Sequence, residues 1–433
     1  MPEKIIYENC ETCALRPGIC HGVSEGFGLG GCAAFDHRLC QEWGWTCACN
    51  PKLLEERISE VKTFNPQLFR KLPYDSTHLP HYIPTVYHRY GRQFSLNLEY
   101  VAFPLHELFD ITSEGFIPRA TNAKELRHLL GVLETTKIII TGPGPDESIE
   151  YFWRDHQKFK LLELLAELKV EAFTIANYSF PLNCPPLHYR FNRARIFRLA
   201  ERAAEAGVNP VLHLNASHEN DWKDLEELLR QHPEITAVCL EFQTGYTEQS
   251  RAFGAIARLV ELQKNIGRNL HPIIIGGSRH AVEFGKHFEK CTLIDAQPFL
   301  QTYYRKLCRI DAEGRITWHF KRTPKGEFLD YRFYGNIITY SNRLKQRLNG
   351  IEPVVQINWK SQSAARKRSK ATRRQKLMRT APLFSQSIQQ DSSITSNESR
   401  IPQRYTPRFP YRKRGNTISR HTDIGSQPPQ LIS

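Results

Sequence analysis

Seven cysteines, Cys10, Cys13, Cys20, Cys32, Cys40, Cys47 and Cys49, crowd the first 49 residues of a chain that has 11 in 433. They run C-x2-C-x6-C, then Cys32 and Cys40, then C-x-C, with His21 and His37 among them. Thiolates are the preferred ligands of zinc and of iron–sulfur clusters. Gly22, Gly26, Gly28, Gly30 and Gly31 make the stretch loop-rich, and so short a loop-rich segment cannot hold a shape by apolar burial alone. Residues Met1–Asn9 lack the apolar run of a secretory signal, which argues against a disulfide framework. The expectation is a head held by zinc or by an iron–sulfur cluster, its ligands drawn from the seven cysteines. Trp43-Gly44-Trp45-Thr46 should pack that head onto the next domain. Gly26, Gly28 and Gly31 spell G-x-G-x-x-G, but no strand precedes them and no helix follows, so a phosphate cradle is not expected there.

A second set of reactive residues ends a series of short apolar runs. In order these are His106 and Glu107; Thr141-Gly142-Pro143-Gly144 with Asp146; Asn177 and Ser179; His213 and Asn215; Glu241 and Gln243; Gly276-Gly277-Ser278-Arg279-His280; and Asp295 with Gln297. Glu241 and Asp295 are the candidate pair for nucleophile and general acid or base. His213 lies between two leucines, so it is either a catalytic group, a core histidine, or a metal ligand together with His106. Gly276, Gly277 and Ser278 before a helix offer backbone amides to an anion, and Arg279 adds a bidentate clamp. A tight strand-to-helix turn would need the same glycines for geometry alone. Asn177 and Asn215 complete the substrate-binding set.

The elements that must position these groups alternate strictly. Apolar runs at Tyr100–Leu105, Lys137–Thr141, Ala172–Ala176, Pro210–Leu214, Thr236–Phe242, Pro272–Ile275 and Thr292–Ile294 are separated by amphipathic stretches. The helices are expected at Ala123–Leu133, Ile149–Leu168, Arg193–Ala206, Trp222–Arg230, Ala252–Leu262 and Ala281–Phe288, the fourth capped by Asp221 and the third stopped at Gly207. Strands without period-two alternation, joined by helices, indicate a parallel sheet buried on both faces. Repeats of about 20–37 residues fit an α/β fold of the (βα) barrel type, TIM-like, with seven to eight strands. Ile83–Tyr87 or Arg315–Phe320 would supply the eighth, and an open doubly wound sheet is the alternative. Either architecture puts the site at the carboxyl ends of the strands. The segment Gly314–Tyr340 reads as a hairpin of Arg315–Phe320 and Phe328–Tyr334, leading to a helix near Ser341–Leu348.

Charge divides the chain differently. The formal net charge is +14, yet Lys360–Ser433 alone carries +13, leaving +1 for residues 1–359. That tail is rich in Ser, Gln, Pro and Arg and has no apolar periodicity, so disorder is expected. Its basic clusters, Ala365–Arg379 and Arg404–Arg414, interleave in the second case with Tyr405, Phe409 and Tyr411, a pattern suited to nucleic acid across residues 365–414. No apolar run approaches the ~20 residues of a membrane span. No membrane partner and a cytoplasmic protein are expected.

The segments FTIANYSFPLNCPPLHYRFNRARIFR, VLHLNA, VCLEF, IIIGGSRH and LIDAQPF, within Phe173–Arg305, resemble an uncharacterised barrel family carried by phages and plasmids. That resemblance implies a barrel in a mobile-element setting. A more distant likeness is to the guanine transglycosylases of tRNA and their deazapurine DNA-modifying relatives. It implies that Gly276 and Gly277 form the substrate-side strand end and that Asp295 is the nucleophile. Those enzymes carry a late Cys/His zinc site, whereas here only Cys308 falls near that place.

The expected organisation is a Cys-rich head (1–52), a connector (53–97), a barrel (98–308), a hairpin with closing helix (309–350) and a disordered basic tail (351–433). The expected function is a metal-containing barrel enzyme acting on a nucleotide or nucleic-acid base. Its rival is a non-catalytic nucleic-acid-binding protein of a phage or plasmid, with the barrel as scaffold.

Overall fold

A computed structural model of the protein describes residues 44–47 and 50–350, except 73, 77, 113–114, 179–183, 217–218, 244–248 and 325–327. Cys10, Cys13, Cys20, Cys32, Cys40, Cys49, Ser179 and the basic tail lie outside the described residues.

Helix α1 (Pro51–Val61) opens on a proline, and the Asn50 carboxamide oxygen accepts the Leu53 amide at 3.3 Å. The strands β1 (Tyr82–Pro84), β2 (Tyr100–Pro104), β5 (Lys137–Thr141), β6 (Ala172–Thr174), β7 (Pro210–His213), β8 (Ala237–Phe242), β9 (His271–Gly276) and β10 (Thr292–Asp295) form one sheet. Its order is β1-β10-β9-β8-β7-β6-β5-β2, and every pairing is parallel. The two edge strands nearly close on each other: Thr85 bridges Ala102, and the Val86 amide donates to the Ala102 carbonyl at 2.9 Å. The result is an eight-stranded parallel sheet almost closed into a barrel, with helices between the strands, rather than an open doubly wound sheet. Outside it sit two antiparallel pairs, β3 (Phe109–Thr112) with β4 (Gly115–Pro118) and β11 (Lys306–Ile310) with β12 (Ile316–Phe320).

The helices are α2 (Ala123–Leu130), α3 (Asp146–Asp155), α4 (Leu161–Glu167), α5 (Pro186–Glu205), α6 (Glu219–Gln231), α7 (Gln249–Ile266), α8 (Ala281–His287), α9 (Gln297–Tyr303) and α10 (Asp330–Leu348). Side chains alternate between two cores. Ile83, Ala102, Ile139, Val211, Cys239, Ile275 and Ile294 fill the barrel interior. Val101, Phe103, Ile138, Leu212, Val238, Ile274 and Leu293 point outward into the helical layer. At the amino-terminal end His271 fixes the floor, its Nδ1 2.8 Å from Ser76 Oγ and its Nε2 2.9 Å from Thr292 Oγ1.

Several sequence expectations are corrected. The eighth strand is Tyr82–Pro84, so the barrel begins inside the supposed connector; Ile316–Phe320 pairs antiparallel with Lys306–Ile310 instead. Phe328–Tyr334 is not a strand, because Asp330 starts a 19-residue helix. Ile149–Leu168 is two helices, broken where Lys160 takes a left-handed conformation at φ 50°. Asp221 does not cap α6 but lies within it, buried, accepting from Arg193 Nη1 at 2.6 Å while Asp224 accepts from Nη2 at 2.6 Å. Gly207 does end α5, at φ 81°. A close approach fixes Gly142 after β5: a Cβ there would fall 2.3 Å from the Thr174 carbonyl oxygen, while its amide donates to Thr174 Oγ1 at 3.0 Å. Among the described residues no helix is long and apolar enough to cross a membrane.

Candidate functional site

The carboxyl ends of β6, β7 and β8 converge on one hydrogen-bonded relay. Asn215 Nδ2 donates to Asn177 Oδ1 at 2.6 Å, and Asn177 Nδ2 donates to Glu241 Oε2 at 3.1 Å. A second bond, Asn215 Nδ2 to the Tyr178 carbonyl at 3.1 Å, holds the first amide in place. The relay sets each carboxamide's orientation, because an oxygen must face the donor on one side and the nitrogen the carboxylate on the other. Glu241 shares its face with Ala237 and Cys239, so it points into the barrel. All three residues are half-buried, exposed enough for a ligand and shielded enough for charge to matter.

Beneath this rim lies His213. It pairs with Cys239 across β7 and β8 and shares the inward face of Val211. It is 2% exposed, and its ring makes no side-chain hydrogen bond, a backbone contact at Leu214 being its polar neighbour. Burial pulls its pKa down to about 3, so it is a neutral imidazole within the interior. His106, with an unpartnered buried Nδ1, lines a separate apolar cleft with Phe109, Phe116 and Phe152. Among the described residues no three His, Cys, Asp or Glu are grouped to hold a metal ion.

Asp295 is placed differently from Glu241. Ile294 fills the interior, so its neighbour Asp295 faces outward, into the helical layer. Its carboxylate accepts from Ser278 Oγ, from Tyr340 Oη at 2.7 Å and from the Gln297 amide at 2.9 Å. Its carbonyl accepts the Thr85 amide at 2.9 Å and Tyr82 Oη at 3.4 Å. Burial raises its pKa above the usual carboxylate value, and the hydrogen bonds oppose that shift. The structure thus does not bring Glu241 and Asp295 face to face as a catalytic pair, nor aim Asp295 into the mouth as a nucleophile. Tyr340 and Tyr82, its partners, have no polar signature in sequence, since each sits among ordinary core aromatics.

The Gly276–Arg279 turn is built for geometry. Gly276 and Gly277 take φ 79° and 70°, and a Cβ on Gly277 would fall 2.8 Å from the Phe242 Cβ. The Ser278 hydroxyl is committed to Asp295, and Arg279 Nε contacts His280 Nε2 at 2.9 Å. Arg347 of α10 binds the Ser278 and Arg279 carbonyls at 3.4 and 3.0 Å.

The end of the Cys-rich head docks where α5 begins. The Thr46 amide donates to His188 Nδ1 at 3.3 Å, and the Trp45 ring lies 6.4 Å from that of His188. Trp45 thus packs against the start of α5. Cys47, the head cysteine among the described residues, is fully buried. No protein-family profile matches the chain, and no curated protein is significantly similar to it.

Two expectations follow. Asp295→Ala should lower unfolding free energy in urea by about 3 kcal/mol, because it strands two hydroxyls and an amide. A loss below about 1 kcal/mol would mean the carboxylate is not a structural acceptor. For His213, the folded pKa of about 3 lies below the ordinary 6.5, so the unfolded chain alone takes up this proton between those values. Stability should therefore fall on acidification through that window, by up to about 1.4 kcal/mol per pH unit for this residue. His213→Leu should flatten the pH dependence of the unfolding midpoint between about pH 4 and 6, and an unchanged slope would contradict a neutral, buried imidazole.

Proposed function

We propose that the protein is an enzyme acting on a nucleotide or a nucleic-acid base bound at the barrel mouth, with Glu241 as general acid or base. The observation that carries this reading is the Asn215–Asn177–Glu241 relay at the barrel mouth, above a buried neutral His213. Two carboxamides and a carboxylate present donors and acceptors in a row, the complement of a planar heterocycle's polar edge. A half-buried strand-end carboxylate oriented by an amide N–H is placed to exchange a proton with a ligand at the mouth. His213 lies beneath, where its ring can hydrogen-bond a ligand reaching into the barrel. Asp295 takes no chemical step in this scheme, since it holds β10, α9 and α10 together.

The head belongs to the same proposal. Its seven thiols fit zinc or an iron–sulfur cluster, which would stabilise the segment that ends at Trp45 and Thr46 on α5. Metal analysis with an absorbance spectrum of the anaerobically purified chain tests this. A brown protein with iron and acid-labile sulfide indicates a cluster, and a colourless one with bound zinc indicates the ion. A colourless, metal-free, folded protein removes both.

The site itself is tested by ligand panels. Nucleobases, nucleosides and nucleotides should raise the melting temperature of the wild-type chain, and Glu241→Gln should cut turnover of the responding ligand by about 100-fold or more without unfolding. Asn177→Ala should weaken both effects, because it frees the carboxylate to rotate. Full activity in Glu241→Gln, or no response to any base, would sink the assignment.

A further inference from the structure

Aromatic and cationic side chains converge outside the barrel, where α9 runs into the β11–β12 hairpin. Tyr303 and Tyr304 are 48% and 57% exposed, Phe320 is 72% and Tyr90 is 74%, proportions a monomer rarely gives to four large rings in one neighbourhood. Ring contacts join three of them, and backbone pairing brings Phe320 beside the same stretch of chain. The Tyr303 ring lies 6.4 Å from that of Tyr90 and 5.8 Å from that of Tyr304. Arg305, at φ 61°, turns the chain from α9 into β11, and Lys306 then pairs with Phe320 across the hairpin. The Lys321 amide donates to the Arg305 carbonyl at 3.0 Å, so Lys321 and Arg322 flank the same end. Arg332 of α10 locks that corner by binding the Arg305 and Lys321 carbonyls at 2.9 and 2.7 Å.

The charge on this surface is one-sided. None of Arg305, Lys306, Arg309, Lys321 or Arg322 forms an ion pair with a described acidic residue. The hairpin's two acids, Asp311 and Glu313, are both engaged by Arg315 instead. Elsewhere in the body arginines are satisfied internally: Arg193 by Asp221 and Asp224, Arg195 by Glu150, Arg198 by Glu201. Five cations in one short stretch, with its two acids already engaged, give the hairpin end a local positive charge suited to a polyanion.

We propose that this surface binds single-stranded nucleic acid, with bases stacked on Tyr90, Tyr303, Tyr304 and Phe320 and phosphates met by Arg305, Lys306, Lys321 and Arg322. Exposed rings interleaved with cations are how proteins track a single strand without reading its sequence. A duplex hides its base faces and would use only the cations. An acidic protein would likewise have no use for four bare rings. The assignment is independent of the barrel mouth and adds to the basic tail a binding surface on the folded body.

The test uses the full chain, labelled single-stranded oligonucleotides and a matched abasic oligomer. The triple variant Tyr303→Ala, Tyr304→Ala, Phe320→Ala should bind the base-bearing strand about five- to a hundredfold more weakly. It should bind the abasic strand as the wild type does, because the tail and hairpin cations are untouched. These rings are largely exposed, so circular dichroism and melting temperature should stay unchanged. Lys321→Glu with Arg322→Glu is the second variant, and it should reduce the steepness of the salt dependence by about 0.7 for each phosphate no longer neutralised. Photocrosslinking through the bases should label the peptides holding Tyr303, Tyr304 and Phe320. Equal affinity of the triple variant and wild type for the base-bearing strand would overturn the proposal. So would crosslinks confined to residues 357–433, or equal loss of affinity for poly-glutamate, which would mark an acidic-protein surface.

Discussion

The acceptor cluster around Asp295 fastens edge strand β1 to β10, and so holds β1 where Thr85 and Val86 meet Ala102 to close the sheet. One residue receives the Thr85 amide and the Tyr82 hydroxyl on its carbonyl, and Ser278, Tyr340 and the Gln297 amide on its carboxylate. Those donors come from β1, the turn after β9, α10 and the start of α9. The strand that enters last in sequence is thereby bonded to the strand that enters first, and the final helix is fastened over the joint. A buried carboxylate is costly unless its lone pairs are filled. Here three donors fill them, so the same group that would be a liability alone becomes a specific clamp. Its raised pKa reports that burial, and a raised pKa on a strand-end carboxylate is thus no sign of chemistry by itself.

The mouth depends on that closure. Glu241 and His213 point inward only because β7, β8 and β9 keep parallel register from His213–Cys239 through Glu241–Ile275. Above the Ile-rich interior the inward positions turn polar, with Thr141, Thr174 and His213 all buried and Glu241 half-exposed at the top. Thr174 is spent on Gly142 and on the Cys239 thiol. His213 makes no side-chain hydrogen bond, so the polar gradient along the barrel axis runs from paired threonines to this ring and then to Glu241 at the rim.

Much of this is legible in sequence, for physical reasons that also explain the failures. Strands such as Lys137–Thr141 and His271–Gly276 are buried on both faces, so they read as unbroken apolar runs between helical stretches. The same property hides which way each residue faces. Thr292–Asp295 is buried throughout, and nothing in LID distinguishes an aspartate aimed at the mouth from one aimed at a helix. Tyr82–Pro84 is legible only as one of two candidates for the eighth strand, at Ile83–Tyr87, because so few residues among prolines carry little pattern and their strand identity comes from pairing with β10. Phe328–Tyr334 looks like a strand because Phe and Tyr favour strands, yet Asp330, capping the Gln93 and Phe94 amides at 2.9 and 3.0 Å, anchors a helix there. Glu241, Asn177 and Asn215 are legible as strand-end residues, while their connection into a relay is a property of the closed sheet.

The near-neutral charge of residues 1–359 conceals how that charge is sorted. Three arginines of α5 are almost wholly buried, and each is matched by carboxylates: Arg193 by two, Arg195 bidentately by Glu150, Arg198 by Glu201. Arg195 also lies 3.8 Å from the centre of the Tyr178 ring, whose backbone carbonyl receives Asn215, so this pairing supports the wall of the mouth. These arginines and their carboxylates nearly cancel, so the rest of residues 1–359 stays close to neutral as a whole and only its local distribution can favour an anion. At physiological salt the screening length is about 8 Å, so an approaching polyanion responds to the hairpin's local charge and not to the chain's total. Net charge locates most of the excess in residues 360–433, whereas the pairing of individual side chains shows where the folded body carries cations of its own.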